Sequence, residues 1–402
     1  MGSEGPEKPQ DFMGLEKTFR YLLYSRALRS VAIIYMALAM PLYLNALHMN
    51  LTTIGIVVAS VMLFMIFESL LLGMLGDRYG YKKSIALGEL INLSGAFIIG
   101  FTDAPLLIVV GMVIGGIGGA AGGVRGSFSP GSTALIASNW PEERERVRKL
   151  SLLTTTASFF SVIGGLLVSS LYYLEKVFGA IEAYKFLFLI SGILLALSFT
   201  SILFVHERSR PVKTSRIVRK ESLSYMFRIV AINGTSGAGL GLAYPLLPLW
   251  LVLMYHVSAA EVGYLFSASY LLTSFGAYSS FRLSQKFNAL NMATASRILQ
   301  GLFFAFIAFS PYFIIASLMF LVRAYVSGVG QPSRSAVNVR GISSEDYGAA
   351  SSIMGTASRT GQLSSGLSGY LMDIYLPYPL VAGAILQIAS GAMYAKMIKA
   401  QP

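Results

Sequence analysis

The chain has no cysteine in 402 residues. Disulfides, thiolate nucleophiles and cysteine-ligated metals are therefore excluded, and the redox compartment is left unread. Charged residues are scarce at 12%, about half the roughly 25% usual in soluble domains. There are three histidines, His48, His206 and His256, scattered along the chain. With them comes no HExxH, no paired aspartates and no serine–histidine spacing, so a membrane-embedded enzyme would need a catalytic pair converging only in three dimensions. No nucleotide-binding motif appears. The run Gly115, Gly116, Gly118, Gly119, Gly122, Gly123, Gly126 lacks the Lys and Ser/Thr of a phosphate loop, and inside an apolar segment it predicts close helix packing with local bending. The first 29 residues are polar and have no apolar core ending in a cleavage site, so no removable signal peptide is expected.

What the chain has is apolar length. Hydrophobic residues make up 54% of it, gathered in blocks such as 31–46, 51–75 and 186–205, each near the roughly 20 helical residues that cross about 30 Å of hydrocarbon. Breakers and blocks predict an all-α membrane protein with helices near 27–47, 51–75, 84–101, 105–137, 149–172 and 184–205. A second set lies near 223–255, 260–281, 290–309, 312–339, 346–371 and 378–397. Twelve transmembrane helices are expected.

Lys and Arg alternate between the connections. One side carries 24 and the other only Lys176 and Lys185, which predicts both termini on the cytoplasmic side of the cell membrane. The net charge of +12 is thus a topology signal spread over short loops, not a nucleic-acid face. The basic stretch 206–222, with Arg208, Arg210, Lys213, Arg216, Arg219 and Lys220, falls at mid-chain. The expected division is a cytoplasmic tail 1–26, a six-helix bundle 27–205, the linker 206–222, a second six-helix bundle 223–397 and a tail 398–402.

The two halves align with each other. Segment 55–80 matches 263–288, with Leu75, Arg78 and Tyr79 opposite Leu283, Lys286 and Phe287; Thr156, Ala157 and Ser158 match Thr356, Ala357 and Ser358. Shared apolar composition could produce one such match, but two in order around a central linker point to duplicated bundles, a common transporter architecture.

After the second helix the chain reads Gly73, Met74, Leu75, Gly76, Asp77, Arg78, Tyr79, Gly80, Tyr81, Lys82, Lys83, Ser84, Ile85. This resembles the major facilitator superfamily signature G-x-L-[AG]-D-R-x-G-R-[RK]-x-x-[LI], with Tyr81 standing where the family prefers Arg. The segment 141–144 (Pro, Glu, Glu, Arg) is similar to the family's loop after helix 4, and 343–348 is a weaker counterpart. The resemblance implies that Gly73, Leu75, Asp77, Arg78, Gly80 and Lys82 form a conformational latch, and that helices 1, 4, 7 and 10 line a cavity. It departs from the drug antiporters, since 160–165 (Phe-Ser-Val-Ile-Gly-Gly) lacks their helix 5 Gly-Pro. The family's early helix 4 Arg is also missing, with Met112 or Gly118 there, and Gln285 stands where the first latch has Asp77.

An ionisable residue at helix centre costs about 2.5 to 3.5 kcal/mol on insertion scales, so each is a functional candidate. Glu68 and Glu89 are proton-coupling candidates, with a fixed ion pair to Arg125 as the structural alternative. Arg323 and Arg359, near the midplane with no acid predicted at that depth in the second half, are substrate-binding candidates together with Arg125. Asn233, Tyr244 and Gln362 join them as candidate cavity polar groups, as do the aromatics Tyr35, Tyr270 and Tyr325 and the amide Asn45; ordinary packing is the alternative for each. Pro41, Pro245 and Pro248 predict kinks in helices 1 and 7.

The expected function is secondary transport by alternating access, with proton-coupled export of an amphipathic or anionic organic solute. A sugar or nutrient importer or uniporter of the same fold is the alternative, and a transport-dead sensor or scaffold a remote one. Partners are a small-molecule substrate, protons and the bilayer, with no nucleic acid and no cofactor, in a monomer.

Overall fold

The computed structural model describes residues 9–117, 128–140, 142–207, 220–340 and 347–398. Among them every regular element is an α-helix. The first half holds α1 (Pro9–Ala46), α2 (Leu51–Tyr79), α3 (Tyr81–Phe101), α4 (Pro105–Ile114), α5 (Phe128–Asn139), α6 (Glu143–Phe178) and α7 (Ala180–Leu203). The second holds α8 (Lys220–Ala243), α9 (Leu247–Tyr255), α10 (Ala259–Ser284), α11 (Ala289–Ala308), α12 (Phe313–Val339), α13 (Tyr347–Gln362), α14 (Ser365–Ile374) and α15 (Tyr378–Met397). Nine helical stretches among the described residues are long and apolar enough to cross a membrane. Large apolar side chains such as Leu63, Phe67, Met74, Phe101, Phe275 and Phe306 lie exposed on their outer faces, an arrangement that water penalises and lipid does not.

Helix boundaries depart from expectation where backbone chemistry intervenes. The first helix begins at Pro9, and its early turns bury Leu15, Phe19 and Leu22 against Leu135, Ile136 and Trp140. Lys149 is 3% exposed, with its ammonium 4.4 Å from the Phe19 ring centre and paired to Glu16. Pro41 sits inside α1 without ending it, whereas at Pro245 and Pro248 the chain breaks into α8 and α9. The expected helix 4 stops as α4 at Ile114, capped by Gly115, and resumes as α5. The expected helix 11 divides at Leu363 and Ser364 into α13 and α14. The linker at 208–219 and the loop at 341–346 lie outside the described residues.

Duplication is written in the backbone with a constant spacing of 208 positions. His48 (φ 59°) and His256 (φ 54°) are the two non-glycine residues with positive φ among the described residues, each closing the helix that precedes the next repeat unit. Asn50 caps α2 by accepting from the Thr53 amide, and Ser258, 208 positions later, caps α10 through a capping box with Glu261. Gly55 on α2 abuts Gly369 of α14, where a Cβ would lie 2.9 Å from the Gly369 nitrogen. Its counterpart Gly263 on α10 abuts Ser169 of α6, where a Cβ would lie 2.6 Å from the Ser169 nitrogen.

These two glycine contacts are also the seams between the halves: α2 against α14, and α6 against α10. Asp373 adds a polar tie by accepting from the Thr52 amide at 3.0 Å, and Ser169 Oγ donates to the Ala260 carbonyl at 3.1 Å. All of these lie at the end away from the basic loops, so the halves are drawn together there.

Candidate functional site

In the first half, Arg29 of α1 donates to Glu89 of α3 at 2.9 Å, and the two side chains are 3% and 0% exposed. Arg26, one turn earlier and 3% exposed, acts on the same carboxylate. Glu89 Oε2 has no hydrogen-bond partner among the described residues. Behind the pair, Ser25 and Ser198 share a hydrogen bond of 2.8 Å that fixes α1 to α7. The sequence reading made Glu89 a candidate but took Arg29 for the edge of a polar tail, because the apolar block starts after it. The α1 helix instead carries both arginines into the bundle.

Glu68 is buried on α2 and faces the end of α4. Gly116 there has φ 59°, and a Cβ on it would lie 3.6 Å from Asn92 Oδ1 and 3.9 Å from Glu68 Oε2. The left-handed backbone at Gly116 favours glycine, and here it also leaves room for the two polar side chains. Arg125 lies in the following segment, outside the described residues.

In the second half, Arg323 of α12 is 4% exposed. Its guanidinium carbon lies 4.1 Å from the Phe304 ring centre, 4.9 Å from Tyr244 and 5.7 Å from Phe320. Among the described residues no carboxylate comes within ion-pair distance of it, and its Nε has no hydrogen-bond partner. Three rings offset part of the desolvation of a cation, on the order of 2 kcal/mol per well-placed contact, and the Tyr244 hydroxyl takes one hydrogen bond from the guanidinium. Tyr270 of α10, 8% exposed, likewise has a hydroxyl without a partner among the described residues. It lies one turn beyond Phe266, which packs on Tyr244 and Phe320 at 6.0 and 5.0 Å between ring centres. Tyr244 directly follows α8, at the break before Pro245, and its ring centre lies 6.2 Å from that of Phe320 on α12. The structure thus brings two predicted residues, Arg323 and Tyr244, into one aromatic box.

Arg359 on α13 points elsewhere. Its Nη1 donates to Ser69 of α2 at 2.6 Å, a hydrogen bond between the halves. Gln362, three residues on, bonds back to the Ser358 carbonyl at 3.3 Å within its own helix. Asn233 is buried on α8, 7% exposed, next to Gly234, where α8 meets α13. One residue not singled out from sequence stands out beside these. Arg297 of α11, 8% exposed, donates to Ser236 of α8 and to Gln387 of α15 at 3.3 Å. It follows Glu89 by 208 positions, so one junction is built on an acid in the first half and on a base in the second. That register, applied to the sequence, is the signal that would have found it.

The turn between α2 and α3 is held within its own half. Glu207, after α7, accepts from the Tyr81 and Lys82 amides at 2.9 and 2.8 Å and so caps α3. A Cβ on Gly80 (φ 103°) would lie 2.9 Å from Glu207 Oε2. The departing residue Tyr81 donates its hydroxyl to Asp77, a role the family's Arg would fill as a salt bridge. Arg78 lies over the Tyr79 ring at 5.2 Å, while Gly73 and Leu75 lie on α2 and Lys82 in the first turn of α3.

Two duplicated helical bundles, joined at one end and carrying buried charges between their helices, are the architecture of a membrane-embedded transporter. The chain belongs to the Major Facilitator Superfamily, whose profile matches residues 22–365. Its fold is that of solved transporters. An auto-inhibited peptide transporter of the POT family superposes with a TM-score of 0.75 at 12% identity, covering 96% of this chain and 98% of that one. The nucleoside transporter NupG gives 0.74 at 14%, covering 95% and 100%. In sequence, the methylenomycin A resistance protein of Bacillus subtilis is 32% identical over 37% of this chain and 33% of its own length. The multidrug resistance protein MdtH of Shigella dysenteriae is 31% identical over 24% and 22%. The aligned segments thus span a third or less of those two curated relatives.

Proposed function

We propose that the protein exports an amphipathic or anionic organic solute by alternating access, driven by protons, with both termini in the cytoplasm. The observation that carries this is the Arg323 box: a buried cation whose remaining donors have no carboxylate among the described residues, beside the unspent Tyr270 hydroxyl. An anionic group on the solute supplies the missing acceptor, and the rings of Tyr244, Phe304 and Phe320 suit an apolar body attached to it. Export agrees with the resistance functions named for the two curated relatives.

The halves meet through the α2–α14 and α6–α10 seams at the end away from the basic loops. Rocking about the Gly55–Gly369 and Gly263–Ser169 seams would exchange access between the two sides, breaking the Arg359–Ser69 hydrogen bond or making it anew. Glu68, buried on α2 beside the Gly116 turn, is the proton carrier to test first, with Glu89 the second candidate. Solute movement in proteoliposomes under an imposed pH gradient tests the reading, with wild type beside Glu68→Gln and Glu89→Gln. Gradient-driven movement that Glu68→Gln uncouples supports it; movement indifferent to the gradient in all three replaces proton coupling with uniport or anion exchange.

A further inference from the structure

The geometry points to a binding site for one anionic phospholipid in a groove on the outer face of the second half, between the start of α11 and the end of α15. A cavity of about 660 Å³ lies there, lined by Leu290, Asn291, Thr294, Ile298 and Lys396 among others. It shares no lining residue with the Arg323 box and plays no part in the proposed transport step.

The groove is graded in polarity along the helix axis. Asn291 and Lys396 stand exposed at its mouth. Thr294 follows about 8 Å into α11 at 1.5 Å per residue, and its hydroxyl is buried with no hydrogen-bond partner among the described residues. Below it the wall is Ile298, and the same face of α11 continues at helical spacing through Leu302 and Phe306, which are 38% and 58% exposed. A phosphate at the mouth would accept from Lys396, Asn291 and Thr294, while an acyl chain ran along Ile298, Leu302 and Phe306. A free phosphate would use only the upper part and leave the apolar track empty. Charge agrees: Arg228 donates to the Met397 carbonyl at 3.2 Å at the same end of α15. The Lys and Arg distribution turns this end toward the cytoplasmic leaflet, whose anionic lipids attract basic side chains.

Native mass spectrometry of the full chain, released from nanodiscs of mixed phosphatidylglycerol and phosphatidylcholine, tests the site. Wild type is expected to retain one phosphatidylglycerol in preference to phosphatidylcholine. Lys396→Ala should weaken that retention about fivefold, as expected for one basic residue near a charged surface. Ile298→Trp, which fills the track without touching charge, should weaken it independently; monodisperse elution of both variants excludes misfolding. Equal retention of the two lipids, unchanged retention in both variants, or displacement of the lipid by millimolar inorganic phosphate would overturn the assignment.

Discussion

Replacing Glu89 by Met should destabilise the protein more than any other single change in the first half. The carboxylate is 0% exposed and faces Arg29 at 2.9 Å with Arg26 close by, so its loss takes the buried counter-charge away from two buried guanidiniums. Breaking a buried pair by removing one partner costs about 3 to 5 kcal/mol, and Glu89→Met belongs at the upper end of that range. Arg29→Met belongs lower, because Arg26 still faces the carboxylate. Independent effects would sum to about 6 to 10 kcal/mol in the double variant. Coupling of the order of 3 kcal/mol, the upper part of the range for residues in contact, should make Arg29→Met/Glu89→Met clearly more stable than that sum. The assay is reversible denaturation of the purified protein in mixed micelles, all four forms compared. Additivity, or a Glu89→Met protein as stable as wild type, would refute the reasoning, since neither is compatible with a dry ion pair holding α1 to α3.

Other consequences follow from single contacts. Glu207→Ala removes the acceptor for the Tyr81 and Lys82 amides and should lower stability by about 1 kcal/mol, typical of a lost helix cap, read by the same denaturation. Gly55→Leu drives a side chain into the Gly369 backbone, 2.9 Å from where its Cβ would stand, and should spread the sealed end. Because the chain has no native cysteine, single cysteines at Thr52 and Asp373 can report that spreading as loss of cross-linking. Lys149→Met leaves Glu16 without its cation but keeps apolar contact with Phe19 and Trp140. It should cost less than Glu89→Met, because Glu16 is 38% exposed and water can solvate it.

Much of the fold was legible because lipid imposes long apolar helices and because the duplication preserved local signals. Gly55 with Gly263, heading the matched segments 55–80 and 263–288, read as repeats before any coordinates, whereas the Asn50 and Ser258 caps emerged only from the fold. Boundaries were legible where apolar character and helix ended together, as at Leu51 and Ala289. They failed where a helix continued through polar residues: α1 runs from Pro9 because Leu15, Phe19 and Leu22 have a partner surface that no local pattern reveals. Pro41 and Pro248 look alike in sequence, yet only the second accompanies a break, where Pro245 removes another amide within one turn. Candidate site residues were found by charge inside apolar runs, which caught Glu68, Glu89, Arg323 and Arg359. Their partners were not, since Arg29 with Glu89 and Ser69 with Arg359 are pairings across distant helices. Arg297 was legible only through the 208-residue register.

The most direct test of the central claim is transport by Arg323→Gln, measured in proteoliposomes with a panel of aromatic carboxylates and their neutral amides. Removal of the buried cation should abolish carboxylate movement, spare any amide that moves, and leave the protein folded, since the aromatic box closes without a stranded charge. Carboxylate transport undiminished in Arg323→Gln would contradict the assignment of this box as the anion site.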